Sequence, residues 1–435
     1  MRQIQGVILG YGDRSSRYAE YAKQKPEELK IVGVIDTNPL KVRQCQEEYG
    51  LEENQLFYSL DEFLKAKVQC DVVINGTMDQ LHYQTTMPLL ERGYDILLEK
   101  PITGNYKELL EIEQKAKEKG CKVVVCHVLR YTPYYSTIKK IIDSGRIGAV
   151  KSMQLNEHVW FGHFVNAYVR GKWRNEKECG SGFLLAKCCH DTDLMCWLNN
   201  STHPTFVHSF GSKSFFVEEN APLGATQYCY ECPHRGNCMF DAEPFEIEKD
   251  YIPFYTWAGI NKPLDEITLE EKREFLKQDV YGQCVYKTDM DIVDRQCVSV
   301  EFANGSIGTL NMIGASTVAG RHIHVICEYG EILGYVEENK IRVYVFDKDK
   351  LESKEELIDL NDLYDFSDVD NAVGGHYGGD YAIMADLVRF INGEETSVST
   401  TVIEDSVNSH LICYAAEKSR KEKAVIDLQR EYRID

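Results

Sequence analysis

The chain reads as two units in series. An α/β Rossmann-type unit with a parallel, doubly wound sheet spans residues 1–127, and an α+β unit with a large, mostly antiparallel open sheet spans 128–435. Three observations predict this. Short apolar runs alternate with helix-compatible stretches from residue 4 to about 127. The first of those runs ends in a glycine-rich turn, "IQGVILGYGDRSSRYA" (4–19). Beyond residue 128 the apolar runs pair through hairpin signals instead.

"IQGVIL" is short and β-branched, as a buried strand should be. Gly10-Tyr11-Gly12 then turns the chain where the backbone must approach something closely. Asp13, Arg14 and Ser15 follow, and Ser15 fills the last glycine slot of a G-x-G-x-x-G loop. It is small enough to let the next helix pack close to the sheet, and its hydroxyl adds a donor. "SSRYAEYAKQ" suits a helix, and "LKIVGVID" is a second strand ending in Asp36. A carboxylate at that position accepts both hydroxyls of an adenosine ribose and repels the extra phosphate of NADP. The loop is therefore read as NAD-binding, with NADP disfavoured. Arg14 is the opposing signal, since a guanidinium here could neutralise a 2′-phosphate.

The alternation continues through "PLKVRQCQEEYG", "CDVVING", "HYQTTMPLLERG", "YDILLEKPI", "YKELLEIEQKAKEKG" and "CKVVVCHV". Helices between short apolar strands imply right-handed crossovers and a parallel sheet. Ligands bind beyond the C-terminal strand ends of such sheets. Those ends carry the Gly10 loop, Asp36, Asn75-Gly76-Thr77 and Glu99-Lys100-Pro101.

The second unit opens with a helix in "YSTIKKIIDSG" and the extended run "AVKSMQLNEHVWF". Its later strands are "CVSVEFANGSIGTLNMIG", with an Asn304-Gly305 hairpin turn, "HIHVICEYGEILGYV" and "KIRVYVFD". Residues 213–290 read as an elaboration containing a helix opened by the capping box Thr268-x-x-Glu271. The acid-rich stretch 347–370 predicts a solvated loop. Helices follow near 380–392, with Asp380 as N-cap, and 404–421, placed to pack back on the first unit.

Composition narrows the function. A chain of 435 residues is long for one core. Lys+Arg of 49 against Asp+Glu of 69 gives a net charge of −20, which repels nucleic acid and anionic membranes. No apolar stretch approaches a membrane span, and the N-terminus shows no signal-peptide core. The 15 cysteines are most simply reduced thiols of a cytoplasmic protein.

Four segments carry a family signature: "NGTMDQLHYQTTMPLLERGYDILLEKPI", "RYTPYYSTIKKIIDSGRIGAVKSM", "KCCHDTDLMCWL" with its H-x-x-D, and "GGHYGGDYAIMADLVRFINGE". With them the sequence resembles the Gfo/Idh/MocA oxidoreductases nearly end to end. The resemblance implies that Lys100 of Glu99-Lys100-Pro101 and His190 flank the reacting carbon, with His82 near the nicotinamide. It further implies hydride transfer between a sugar or sugar-derivative hydroxyl and the nicotinamide, and a homodimer or homotetramer. A redox-neutral enzyme with recycled NAD (glycoside cleavage, elimination or epimerisation) and a non-catalytic NAD- or sugar-sensing protein are the alternatives.

The chemistry agrees. Oxidising a secondary alcohol needs a general base for the hydroxyl proton, and histidine suits neutral pH. On the helix "LLAKCCHDTDLMCW", Ala186, Lys187, His190 and Asp193 share a face. Asp193 is either a substrate contact or simply the partner that satisfies His190. Ala186 stands where many family members carry an acid, so Lys187 becomes a candidate for proton relay or substrate binding. "FVNAYVRGKWRN" sets Tyr168, Arg170, Lys172, Trp173 and Arg174 just before that helix. A basic–aromatic cluster suits a carbohydrate, aromatic faces packing on C–H surfaces and arginine clamping a carboxylate, with a hint of an acidic sugar; an exposed basic loop is the plain alternative. His376 and Tyr377 could reach the cleft, or their glycines could merely turn the chain. Cys229-x-x-Cys232 and Cys238 have the spacing of a structural zinc site. Its fourth ligand would be His234, Cys188, Cys189 or Cys179, and three reduced thiols are the alternative.

Overall fold

The computed structural model describes residues 2–364 and 378–432. Six strands form the first sheet: β1 (Ile4–Leu9), β2 (Leu29–Ile35), β3 (Leu56–Phe57), β4 (Val72–Asn75), β5 (Ile96–Leu98) and β6 (Val123–Val125). All pair in parallel in the order β3-β2-β1-β4-β5-β6. That order reverses between β1 and β4, the crevice where doubly wound sheets bind nucleotides. The crossover helices are α1 (Asp13–Ala19), α2 (Pro39–Tyr49), α3 (Leu60–Ala66), α4 (His82–Glu91) and α5 (Tyr106–Lys119). Local chemistry sets their starts: Asn38, Ser59 and Asn105 each cap a helix with a side-chain oxygen.

The second sheet has nine strands in the order β14-β13-β12-β11-β7-β10-β9-β8-β15. They are β7 (Val150–Trp160), β8 (Pro204–Ser212), β9 (Arg295–Phe302), β10 (Ile307–Ser316), β11 (Gly320–Cys327), β12 (Gly330–Tyr335), β13 (Lys340–Asp347), β14 (Glu352–Asp359) and β15 (Ile426–Asp427). Only β7 with β10 is parallel. Burial alternates residue by residue, so Met153, Leu155, Glu157 and Val159 of β7 face inward. On that inner face lies α7 (Phe183–Leu198), the helix that carries the H-x-x-D residues, preceded in the chain by α6 (Pro133–Asp143). The outer face exposes Phe206, Phe210, Ile307 and Ile313.

Of the two C-terminal helices, the second ties the sheets together. Helix α8 (Gly379–Asn392) packs on α1 and β1, and α9 (Ile403–Glu422) packs on α5, β6, α7 and β8. The elaboration folds around its own small core of Cys229, Ala242, Trp257, Ile267, Leu276 and Tyr281, and the Thr268–Glu271 capping box forms as expected.

Two expectations need correction. Residues 352–359 of the acid-rich stretch form β14, an edge strand hydrogen-bonded to β13. Its charged side chains stand in solvent, so no apolar alternation marked it. Asp380 is not an N-cap: Gly378, at φ +81°, opens α8, and Asp380 lies buried in its first turn.

Candidate active site

A cleft of about 360 Å³ opens where the C-terminal ends of β1, β4 and β5 face α7 and residues 163–173. Gly10 takes φ +81°, and a Cβ there would stand 3.1 Å from the Gly76 carbonyl oxygen. The loops after β1 and β4 thus lie edge to edge. A Cβ on Gly12 would meet nothing within 4 Å, so the loop presents open backbone to the cleft. Ser15 is buried, and a Cβ on Gly76 would fall 1.9 Å from its hydroxyl oxygen. Its small size lets α1 sit close, as the sequence suggested. Asp36 is held at the end of β2 by the backbone N–H groups of Tyr11 and Asn38, both at 2.8 Å. The cradle therefore fits a dinucleotide: open glycine loop, close helix, and a fixed carboxylate at the end of β2.

Arg14 does not face a 2′-phosphate. Its guanidinium donates to Glu99 (3.1 Å), to the Tyr18 hydroxyl (2.7 Å) and to both carboxylate oxygens of Asp380. Burial pushes the Glu99 carboxyl up, and Arg14, Lys100 and Tyr18 outweigh it, leaving it below the usual range. Asp13 pairs with Arg17 at 3.1 Å, and Thr77 lines the cleft with its hydroxyl donating to Asn75. His82 is fully buried, its ring nitrogens 2.7 Å from the Pro101 carbonyl and 3.0 Å from that of Thr77. It braces the two loops from behind rather than lining the cleft.

Lys100 and His190 both line the cleft. The Lys100 ammonium donates to the Ala186 carbonyl at 2.8 Å. Behind His190 stands His127, ring centres 5.7 Å apart, and behind that His410 at 5.6 Å. Lys187 lies 3.5 Å from Glu157, and Arg321 pairs with Glu157 and Asp191 at 2.9 Å each. Burial pushes Lys187 down and Glu157 up, the reciprocal charges offsetting part of each shift.

Several expected substrate contacts are structural instead. Arg170 is fully buried and donates to Glu246, to the carbonyls of Gln283 and Phe240, and to Cys229 Sγ. Arg174 turns to Asp289 at 2.6 Å. Asp193 takes a two-pronged pair from Arg130 at 2.7 and 2.5 Å, so it neither satisfies His190 nor faces the cleft. Tyr168 and Trp173 do line the cleft, and the Trp173 indole N–H donates to Asp79 at 3.0 Å. His376 and Tyr377 lie outside the described residues. The zinc expectation is not met: among the described residues no group of three or more His, Cys, Asp or Glu side chains is placed to hold a metal. Cys229 instead takes its hydrogen bond from Arg170, and Cys232 and Cys238 join Cys284 around a cavity of about 20 Å³.

The profile of an oxidoreductase family with an NAD-binding Rossmann fold matches residues 4–127, and that of the GFO/IDH/MocA C-terminal domain matches 135–223. The chain belongs to the Gfo/Idh/MocA oxidoreductase family. YteT of Bacillus subtilis (strain 168), provisionally named an oxidoreductase, is 22% identical over 82% of each chain. Among solved structures, levoglucosan dehydrogenase in complex with NADH and levoglucosan aligns over 98% of this chain and 100% of that one. Its TM-score is 0.68 at 16% identity. The WlbA dehydrogenase of Bordetella pertussis, with NADH and UDP-GlcNAcA, aligns over 98% of both chains at TM-score 0.66 and 17% identity.

This Gfo/Idh/MocA site contains residues that sequence reasoning passed over. Arg321 sits opposite Glu157 in the β7–β11 register, a pairing between segments over 160 positions apart that no local pattern reveals. Tyr255 reaches the cleft from the elaboration, and Asp79 ties that wall to the first unit through Trp173 and Ser181. His127 follows the last parallel strand by two residues, a polar residue at the end of an apolar run. No helix among the described residues is long and apolar enough to cross a membrane.

Proposed function

We propose that this chain is an NAD-dependent dehydrogenase that oxidises, or in reverse forms, a hydroxyl of a sugar or sugar derivative. The observation that carries the reading is the convergence of Lys100 and His190 in one cleft beside the Gly10 loop. Bound NAD supplies the acceptor for the hydrogen that leaves carbon. His190, which lines the cleft, takes the hydroxyl proton as general base in this reading. Lys100, held on the Ala186 carbonyl, directs its remaining N–H bonds at the same oxygen and stabilises the negative charge growing there. Lys187 lies one turn before His190, and its contact with Glu157 gives a path for passing a proton onward. Trp173, partly exposed in the cleft and backed by the buried Tyr168, offers an aromatic surface to the C–H groups of a pyranose. Asp36 favours NAD over NADP. Relatives in fold that bind levoglucosan or UDP-GlcNAcA support a carbohydrate as substrate.

One observation favours the redox-neutral variant. Asn261 of the elaboration accepts from the Asn38 side chain at 3.2 Å, two residues beyond Asp36, and Trp173 bonds Asp79 further along. These contacts bridge the two units near the strand ends that carry Asp36 and Thr77, and they favour a cofactor that stays bound and returns its hydride.

The test is absorbance of reduced nicotinamide with NAD and a panel of sugars, uronates and glycosides, with chromatography of the products. Absorbance rising in step with an oxidised product establishes the dehydrogenase. Product without lasting reduced cofactor selects the recycling reading, and no product with any carbohydrate removes both. We also propose a reducing, cytoplasmic setting for the fifteen free thiols. The apolar residues on the outer face of the second sheet suit a homodimer or homotetramer. Light scattering should show that assembly and Phe210→Asp should weaken it; a monomeric wild type would end the idea.

A further inference from the structure

We propose that Lys172 is the second unit's clamp on the cofactor's diphosphate, closing across the groove from the Gly10 loop. The inference rests on the NAD reading above. Of the three cations in the stretch Arg170 to Arg174, both arginines turn away to Glu246 and Asp289, and Lys172 alone lines the cleft. Its ammonium lies 3.1 Å from Met78 Sδ, 4.3 Å from the centre of the Trp173 ring and 5.6 Å from that of Tyr255. Among the described residues no carboxylate stands within ion-pair distance of it. The other cations there are matched: Arg17 by Asp13, Arg14 by Glu99 and Asp380, Lys187 by Glu157, and Arg321 by Glu157 and Asp191. Lys100 is bonded to the Ala186 carbonyl. The Lys172 side chain is exposed in the cleft, so its ammonium, set beside a thioether and two aromatic rings, is open to an incoming anion.

Position decides which anion. Met78 follows Gly76-Thr77, the loop that a Cβ on Gly10 would strike at 3.1 to 3.2 Å. Lys172 therefore stands against the loop after β4, in the same cleft that Gly12, Gly76 and Thr77 line. The glycine loop there seats the diphosphate in doubly wound sheets. A substrate carboxylate would instead lie beyond Lys100 and His190, toward Lys187 and Arg321, whose charges Glu157 and Asp191 already balance. The bearing segment is fixed for the task, because the Trp173 indole bonds Asp79 on the first unit.

The full-length protein is titrated calorimetrically with ADP and with adenosine, and by fluorescence with NADH. Loss of one charge-assisted contact should weaken ADP and NADH about tenfold in Lys172→Gln, leaving adenosine within about twofold. Lys172→Arg should restore most of the affinity for ADP. Unchanged ADP binding in a folded Lys172→Gln would overturn the assignment. A raised KM for a uronate with ADP binding intact would overturn it too, moving Lys172 to the substrate. Wild-type protein that binds neither ADP nor NADH would remove the NAD reading itself, a failure visible before any variant is made.

Discussion

The Lys100 ammonium donates a 2.8 Å hydrogen bond to the carbonyl of Ala186, one helical turn before His190. A residue at the edge of the parallel sheet is thereby fixed to the helix that carries the proposed base. The two groups share one frame although they come from different sheets' layers. Removing either should therefore cost chemistry rather than binding. Lys100→Ala and His190→Ala should each lower kcat by about 10²- to 10⁴-fold, the span of positioned acid–base groups. NADH titration by fluorescence should stay close to wild type in both. Full turnover in either variant would take that residue out of the chemistry.

Cofactor choice rests on Asp36, whose two oxygens are occupied by the N–H groups of Tyr11 and Asn38 and so cannot swing away from a ribose phosphate. Arg14 offers that phosphate nothing, being held by Glu99 and Asp380. Asp36→Ser should raise kcat/KM with NADP relative to NAD by about tenfold, one pairwise charge repulsion. A wild-type preference for NADP would overturn the reading at once.

How far the sequence carried depended on the range of the contacts involved. The parallel sheet was legible because each strand and its crossover helix are local, and the Gly10 loop and Asp36 are separated by only one such unit. Lys100 and His190 were singled out by the family resemblance of the segments that carry them, since a lysine at a strand end and a helical H-x-x-D are ordinary patterns by themselves. Arg170, Arg174 and Asp193 were misread because their partners Glu246, Asp289 and Arg130 lie 63 to 115 positions away. A charge in a sequence shows its sign and never its counter-ion. β14 hid for the reverse reason: an edge strand in solvent is held by backbone pairing, which leaves no apolar pattern to read.

Arg170 makes the difference between the two kinds of cation measurable. It is fully buried and paired with Glu246, which also accepts from Asn166 and Thr256. Arg170→Met strands that carboxylate and should cost about 3–5 kcal/mol of stability in denaturant unfolding. Arg170→Met with Glu246→Gln should recover part of the loss, since no charge is then left buried. KM for substrate should move little in whatever folded fraction remains. A stable Arg170→Met with a raised KM would restore Arg170 as a substrate contact.

The buried imidazoles give the fold a pH dependence of known sign. His127 is fully buried, and neither ring nitrogen has a hydrogen-bond partner among the described residues. Burial first, then Arg130 and Lys100, hold it well below its ordinary value of 6.5. Asp193 lies 3.8 Å away but is already committed to Arg130. Burial, helped by His127, lowers His410 to about 3. Below pH 6.5 the unfolded chain takes up these protons and the folded chain does not, so stability falls as pH falls. Each histidine should contribute a loss of about 1.4 kcal/mol per pH unit between roughly pH 6 and 5, where ordinary carboxylates are still ionised. Urea unfolding at pH 7.5, 6.0 and 5.0 measures the slope for wild type and for His127→Gln, which lacks one titrating site. The variant should lose stability more gently by about that amount per unit. Equal slopes would mean that His127 is protonated within the fold, a charged imidazole directly behind His190.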